Sequence, residues 1–215
     1  MKKFLVVFGL FITIGLWGQD RYSEGMDKAF LLWKNDMPRE AANLFERIAM
    51  VELENWLPYY YVAHINTLLS FGEKDENKLS LQLEKAQEYL NTAKMISPNN
   101  AEILIQQALI NTAWIAFDGA SYGPTLAAKN TALYDKVLAL EPMNPRVVLS
   151  KAEWDMGTAR YFGKDTSLYC LEIKRSLELF TNFKPKGDYH PNWGKHRAEY
   201  VLEGCNLQIN HKNKQ

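Results

Sequence analysis

Several features are scarce in this sequence, and each absence narrows the class of protein. Only 2 cysteines occur in 215 residues, so neither a disulfide-dense scaffold nor a multi-cysteine zinc site is available. Lysine plus arginine number 25 and aspartate plus glutamate number 25, so no overall charge excess favours nucleic acid or an anionic membrane as a partner. No segment alternates apolar and polar residues as a strand does. The composition, 47% hydrophobic, predicts a globular chain with a substantial core, and the lack of strand patterns predicts that the chain is all-α.

The longest apolar run lies at the N-terminus and predicts export. Lys2 and Lys3 precede an apolar stretch of 14 residues, 4–17. A helix that spans a bilayer needs about 20 apolar residues, whereas the core of a signal peptide needs about 7–15. We therefore predict a signal peptide over residues 1–18 and no integral membrane span after its cleavage. An uncleaved anchor helix is the alternative.

Export decides how the two cysteines are interpreted. Cys170 and Cys205 are 35 positions apart and would lie in an oxidising compartment. They can form a disulfide between neighbouring helices, or each can be a buried thiol that packs as a small apolar residue. The spacing leaves both alternatives open.

Most of the remaining chain carries apolar residues at every third or fourth position, the spacing of helices that bury one face. One such stripe runs from Leu83 to Ala93 and ends at Pro98; another runs from Leu126 to Leu140 and ends at Pro142. Stripes of this kind predict nine helices over residues 19–205, followed by a polar tail, 206–215.

The helices repeat at a regular interval. Ala63, Ala108 and Ala152 are small residues at matching places in three helices, 45 and 44 positions apart, and Pro98 and Pro142 are also 44 apart. Repetition on this scale predicts stacked helical hairpins in which each hairpin covers its neighbour.

A small residue in the first helix of each hairpin, an alanine in the second, an apolar stripe and a closing proline together resemble the tetratricopeptide repeat (TPR). The matching positions are Ala63, Ala86, Leu90, Ala93 and Pro98 in one repeat, Ala108, Tyr134, Val137 and Pro142 in the next, and more weakly Ala29, Ala41, Phe45 and Ile48. The resemblance implies a right-handed superhelix of about four antiparallel hairpins with a C-terminal capping helix. Two departures stand out: Asn130 replaces the expected alanine, and the period exceeds the usual length of about 34 residues by about ten.

The segment 189–195 is similar to the closing part of exported repeat proteins of Gram-negative bacteria. The expected location is therefore the periplasm or the outside of a Gram-negative cell.

Proteins of the TPR kind bind peptides in a concave groove lined by the first helix of each hairpin. That resemblance implies a non-enzymatic scaffold for a protein or peptide partner of the cell envelope, with no cofactor and no metal. The groove positions that it implies are Tyr60, His64, Thr67, Ile105, Leu109, Thr112, Leu149, Glu153, Met156 and Arg160. The alternative is a structural subunit that forms a homo-oligomer or joins a larger envelope complex.

One short motif points to chemistry instead. Residues 119–123 match G-x-S-x-G, in which a strained turn between a strand and a helix exposes a nucleophilic serine. Here the preceding segment is helical, so we predict a loop between two helices and keep a hydrolase using Ser121 only as a remote alternative. The four histidines, His64, His190, His196 and His211, show no pair at i, i+4 spacing that would suggest a metal site.

The remaining candidates are aromatic. Trp56 and the run Tyr59-Tyr60-Tyr61 suggest either core packing or a recognition surface, because three consecutive helical residues point in three directions. Trp193, after Pro191, is predicted to cover an open end of the helical stack.

Overall fold

In the computed structural model the described residues are 21–212, with side chains described through Cys205. The predicted signal peptide and the end of the predicted tail lie outside these residues. The described part is helical throughout and contains no strand, as predicted. It forms two compact units, one ending at Pro98 and the other beginning at Asn99.

The N-terminal unit contains four of the described helices. They are α1 (21–34), α2 (Pro38–Ala49), α3 (Trp56–Ser70) and α4 (Glu76–Ile96). The C-terminal unit contains five, with a short 3-10 turn (Ser167–Tyr169) between the third and fourth. These are α5 (Ala101–Phe117), α6 (Gly119–Leu140), α7 (Pro145–Tyr161), α8 (Cys170–Asn182) and α9 (Lys195–Lys212).

Most of these helices begin where a short polar side chain caps them. In α3, α5 and α7 the capping residues Asn55, Asn100 and Asn144 accept a hydrogen bond from the backbone N–H two positions on. Asp75 and Asp118 do the same for α4 and α6. Such caps satisfy N–H groups that have no acceptor within the helix, which is why the helices start at these residues.

Aromatic rings fill the core of the N-terminal unit. Phe45 of α2 lies 5.2 Å from Phe30 and 5.0 Å from Tyr61, measured between ring centroids. All three tyrosines of the run 59–61 are buried, and the hydroxyl of Tyr59 donates to the carbonyl of Ala49 at 2.7 Å. The three tyrosines, for which the sequence left core packing and recognition open, therefore pack inside the unit.

In two segments the structure differs from the sequence prediction. Residues 119–123 are the first turns of α6 rather than a loop, because Asp118 caps the helix there. The helix α9 continues to Lys212, so the predicted polar tail begins as helix. Within the described part, no helix combines the length and apolar character needed to cross a membrane.

Candidate functional site

A buried ion pair aligns α5 with α7. The Nε and Nη2 atoms of Arg146 donate to the two carboxylate oxygens of Glu102 at 2.8 and 2.7 Å, and the Asn144 amide donates to the same carboxylate at 2.8 Å. Glu102 and Arg146 each follow their capping asparagine by two positions and are 44 residues apart. The first turns of the two helices therefore lie side by side at equivalent positions of successive repeats.

The Arg146 side chain is enclosed on its other sides. Its guanidinium lies over the Phe183 ring at 4.5 Å and near the Trp193 ring at 5.9 Å, both measured to the centroid. Gly194 passes so close that a Cβ there would lie 2.7 Å from the Phe180 ring, and its φ of +111° suits glycine. The connection between α8 and α9 thus covers a desolvated charge pair, a geometry in which removing either partner is costly.

Trp193 also packs against the cluster that contains Ile105 and Val137. The sequence predicted it as a cover for an open end of the helical stack. In the structure it covers the first turns of α5 and α7 within the C-terminal unit.

A second ion pair brings α9 into the same alignment. Arg197 donates to Glu153 of α7 from Nε at 2.8 Å and approaches the same oxygen through Nη2 at 2.7 Å. These residues are again 44 positions apart. Since the offset equals that between Glu102 and Arg146, the three helices α5, α7 and α9 share one register.

Because of that register, residues at equivalent positions of the three helices form rows. Leu109, Glu153 and Arg197 occupy equivalent positions, followed one turn later by Thr112, Met156 and Tyr200, and then by Ala116, Arg160 and Gly204. Exposure differs among these positions: Met156 is buried, Leu109 and Thr112 are half-buried, and Arg160, Arg197 and Tyr200 are exposed. The aligned face is defined here by the accessible side chains of Leu109, Thr112, Glu153, Arg160, Arg197 and Tyr200.

The ten groove positions implied by the TPR resemblance divide into two sets. Six are buried: Tyr60, His64, Thr67, Ile105, Leu149 and Met156. The other four, Leu109, Thr112, Glu153 and Arg160, belong to the aligned face. In the N-terminal unit Tyr60 stacks on His64 with ring centroids 5.6 Å apart, so these two side chains hold the core together.

Sequence reasoning missed Arg197 and Tyr200 because α9 was predicted as a capping helix outside the repeat. The 44-residue spacing to Glu153 was the signal that could have found them.

Asn130, which replaces the alanine expected from the repeat pattern, hydrogen-bonds to α5 beneath the aligned face. Its amide donates to the Ala108 carbonyl at 3.0 Å and to the Thr112 hydroxyl at 2.9 Å, and its oxygen accepts from Asn111 at 2.9 Å. An alanine could make none of these bonds. The asparagine is fully buried, and its three bonds satisfy both its donors and its acceptor, as a buried amide requires.

Tyr134 lies in the same layer, between α6 and α7. Burial raises the pKa of its phenol, and the nearby Glu153 carboxylate raises it further. Its ring lies 6.2 Å from that of Trp154, whose indole N–H donates to Thr131 at 3.1 Å. This tyrosine is therefore a neutral packing residue.

Ser121 occupies a helical environment. It lies in the first turn of α6, where its hydroxyl and backbone N–H both bond to Asp118 and lower the pKa of that carboxyl. A nucleophile elbow needs a strand before the turn, and the residue before Asp118 is the end of α5. The serine thus contributes to a helix cap.

The histidines and cysteines have defined places. His196 is fully exposed and contacts Glu199 at 3.1 Å, and His190 lies in the turn after Gly187. Across the described residues no group of three or more candidate ligands could hold a metal ion. Cys170 and Cys205 form a disulfide that joins the start of α8 to α9, so of the two alternatives the structure contains the bridge.

Paired helices, closing prolines and the fixed offset between repeats give the described part of the chain a TPR-like helical-repeat fold. Among proteins of known structure the chain is similar to the HusA haemophore from Porphyromonas gingivalis, with a TM-score of 0.75 and 22% sequence identity over 87% of this chain and 94% of that one. It is also similar to a thermophilic TPR protein from Thermus thermophilus, with a TM-score of 0.46 and 14% identity over 86% and 99% of the two chains. No protein-family model and no curated protein matches the sequence.

Proposed function

We propose that this protein is an exported, non-enzymatic scaffold that binds a protein or peptide of the cell envelope on the aligned face. The observation that carries the proposal is the shared register of α5, α7 and α9, established by the ion pairs Glu102–Arg146 and Glu153–Arg197. Three helices in one register present side chains at fixed intervals, which is what an extended or helical peptide needs for recognition.

The chemistry of the face suits a mixed peptide. Leu109 offers an apolar contact, Tyr200 offers a ring with 68% exposure, and Arg160 offers an exposed cation. Arg197 lies over the Tyr200 ring at 5.5 Å while it pairs with Glu153, so both side chains are held in place before a partner arrives. Tyrosine and arginine are the residue types that contribute most at protein interfaces.

Binding of a partner is tested with a variant that removes three accessible side chains of the face, Glu153→Ala/Arg160→Ala/Tyr200→Ala. A matched control removes exposed side chains of α8, Lys174→Ala/Glu178→Ala. Partners captured from solubilised envelope by the wild type are then titrated individually against all three proteins. We expect affinity to fall at least about tenfold for the face variant alone.

An unfolded variant would give the same loss, so the melting temperature of each protein is measured beside the titration. Equal affinity of the folded face variant and the wild type would refute the aligned face as the interface. Light scattering of the wild type addresses the alternative of a structural subunit, since a stable homo-oligomer that captures no partner would favour assembly.

Export is the second part of the proposal. It rests on the two lysines and the apolar run of residues 4–17, which lie outside the described residues. N-terminal sequencing of the protein recovered from cells tests it. A mature terminus at Gln19 is expected, and an N-terminus that still contains the apolar run would contradict cleavage.

A haem-type tetrapyrrole is the second candidate ligand, favoured by the likeness to a haemophore over 87% of this chain. Haem is planar and carries two carboxylates. On the aligned face, Arg160 supplies a cation for one carboxylate, Arg197 can supply a second by exchanging its pairing with Glu153, and the Tyr200 phenol is a group that can ligate iron.

Titration with haemin, followed by its absorbance, tests this candidate. Tyr200→Phe separates iron ligation from stacking, and iron-free protoporphyrin separates the metal from the macrocycle. A saturable spectral shift that Tyr200→Phe abolishes would favour haem as cargo, whereas no saturable binding of either compound would exclude this ligand.

A further inference from the structure

Four large apolar side chains are exposed in the connection between α7 and α8, which follows Arg160 of the aligned face. Tyr161 and Phe162 end α7, and Leu168 and Leu171 lie in the 3-10 turn and the start of α8. Their exposed fractions are 75%, 64%, 66% and 68%. We call these four residues the α7–α8 patch. Four large apolar side chains exposed to this extent within residues 161–171 are the kind of apolar surface that marks interaction sites.

The connection that carries the patch is built rigidly. The N–H of Lys164 donates to the Ala159 carbonyl at 2.8 Å, and Gly163 adopts the left-handed φ of +65° that ends the helix. The backbone and hydroxyl of Ser167 both bond to Asp165, at 3.0 and 2.9 Å. The exposed side chains therefore project from an ordered turn.

The disulfide fixes the start of α8, next to the patch residue Leu171. Cys170 is buried in its bond with Cys205, and Leu171 is the next residue of α8. The two aromatic rings also contact each other, with centroids 5.1 Å apart in an edge-to-face arrangement. Their exposure is thus a property of a fixed surface, and it leaves these apolar groups in contact with water.

The segment that carries the patch contains more cationic than anionic side chains. Residues 160–175 contain four cationic side chains, Arg160, Lys164, Lys174 and Arg175, against two anionic ones, Asp165 and Glu172. The two acids are occupied, since Asp165 bonds to Ser167 and Glu172 pairs with Arg175 at 3.0 Å. Among the described residues no ion pair involves Arg160, Lys164 or Lys174. The Lys164 ammonium instead lies 6.0 Å from the Phe162 ring centroid.

Exposed aromatic rings beside unpaired cations are the combination that suits the boundary between lipid headgroups and acyl chains. The rings and leucines enter the acyl region, while the cations remain level with anionic headgroups. We propose that the α7–α8 patch docks this protein peripherally onto an anionic phospholipid surface. The four apolar residues of the patch are not part of the aligned face, although Arg160 borders both surfaces, and the docking holds whichever ligand the aligned face binds.

Hydrogen exchange measured by mass spectrometry tests the docking on the full chain. The vesicles contain 30% phosphatidylglycerol and 70% phosphatidylcholine, with pure phosphatidylcholine as the neutral comparison. We expect slower exchange across residues 159–172 on the anionic vesicles, less on neutral vesicles, and a loss of the effect in high salt. Because the readout is local, binding through the N-terminal apolar run would not imitate it.

Two variants make the test specific. Phe162→Ser/Leu171→Ser removes half of the apolar patch, and Lys164→Glu/Lys174→Glu reverses its charge. The matched control, Leu81→Ser/Met95→Ser, removes side chains of α4 with 68% and 76% exposure. Each patch variant should abolish the local protection and the control should keep it, with melting temperatures confirming that all are folded.

Several results would overturn the proposal. They are no protection of residues 159–172 on anionic vesicles, equal protection on neutral vesicles, or protection that survives in both folded patch variants. Protection of the segment only by a protein from the envelope extract would also overturn it, because the surface would then serve protein docking.

Discussion

The two compact units contain similar helical hairpins, yet different forces hold them. In the N-terminal unit the rings of Phe30, Phe45 and Tyr61 pack within 5.2 Å of one another. In the C-terminal unit a buried ion pair, an asparagine network and a disulfide link the helices. Aromatic packing depends mainly on area and volume, whereas charge pairs and amide bonds require fixed partners. The second kind of contact sets the register of the helices, and the aligned face lies in the unit that has it.

The largest expected effect comes from removing one partner of the buried ion pair. Glu102→Ala leaves the Arg146 guanidinium desolvated without its carboxylate, so we expect a loss of about 3–5 kcal/mol in the free energy of unfolding. Urea denaturation measures the total loss, and hydrogen exchange assigns it to helices. The amides of α5 and α7 should lose most protection.

The double variant Glu102→Ala/Arg146→Met is the control for this prediction. It removes the unpaired charge while keeping an apolar side chain of similar length, so it should recover much of the lost stability. If the single variant loses less than about 1 kcal/mol, the ion pair is not what holds the two helices in register.

The disulfide comes next. Its two cysteines are 35 positions apart, and the loop-entropy account assigns roughly 3–4 kcal/mol to closing a loop of that length. Cys170→Ser/Cys205→Ser should therefore lower the melting temperature by several degrees, and reduction of the wild type should do the same. A reducing agent that also lowers the melting temperature of the double variant would show that the effect has another source.

In the N-terminal unit a single aromatic side chain should matter less than a charge partner does. Phe45→Leu keeps most of the apolar volume but loses the ring contacts to Phe30 and Tyr61, so we expect a loss of about 1–2 kcal/mol. Thermal unfolding measures it. Phe71→Leu, at a position with 40% exposure, is the matched control and should change little. Equal effects at the two positions would contradict an aromatic core.

The smallest effect is a pH dependence in the N-terminal unit. Partial burial opposes ionisation of Glu46, but hydrogen bonds from Lys85 and Tyr89 outweigh it, and the pKa of this carboxyl is lowered. A carboxyl with a lowered folded-state pKa stabilises the fold above its unfolded value of about 4.3. Its contribution is lost as the pH falls below that value and through the folded-state pKa.

Denaturation of the wild type and Glu46→Gln at a series of pH values checks this prediction. The wild type should lose more stability than the variant between about pH 5 and pH 3. Parallel curves for the two proteins would show that the contact between α2 and α4 contributes nothing to the acid sensitivity.

The sequence was sufficient to predict the fold, because helix starts and ends depend on local chemistry. Pro98 and Pro142 were predicted to close helices, and they follow the ends of α4 and α6. The G-x-S-x-G segment was misjudged because its two glycines and the following Pro124 are typical of a loop, while the Asp118 cap was enough to start a helix.

The candidate site was harder to predict because it depends on contacts between repeats. The groove positions in the N-terminal unit were those that the TPR resemblance implies, and a resemblance in pattern could not show that Tyr60 and His64 stack inside a core. Arginine side chains are usually exposed, and only the pairing with Glu102 explains why Arg146 is buried. The resemblance also implied an alanine at position 130, where the structure uses an amide to join two helices.

The constant offset of the two ion pairs restricts the order in which the hairpins can be joined along the chain. In both pairs the glutamate belongs to the earlier hairpin and the arginine to the later segment, at Glu102–Arg146 and Glu153–Arg197. Duplicating or exchanging one of these hairpins would bring like charges together or leave the buried Glu102 or Arg146 without its partner. Each pair therefore has a direction along the chain, and together they are compatible with one order of α5, α7 and α9 only.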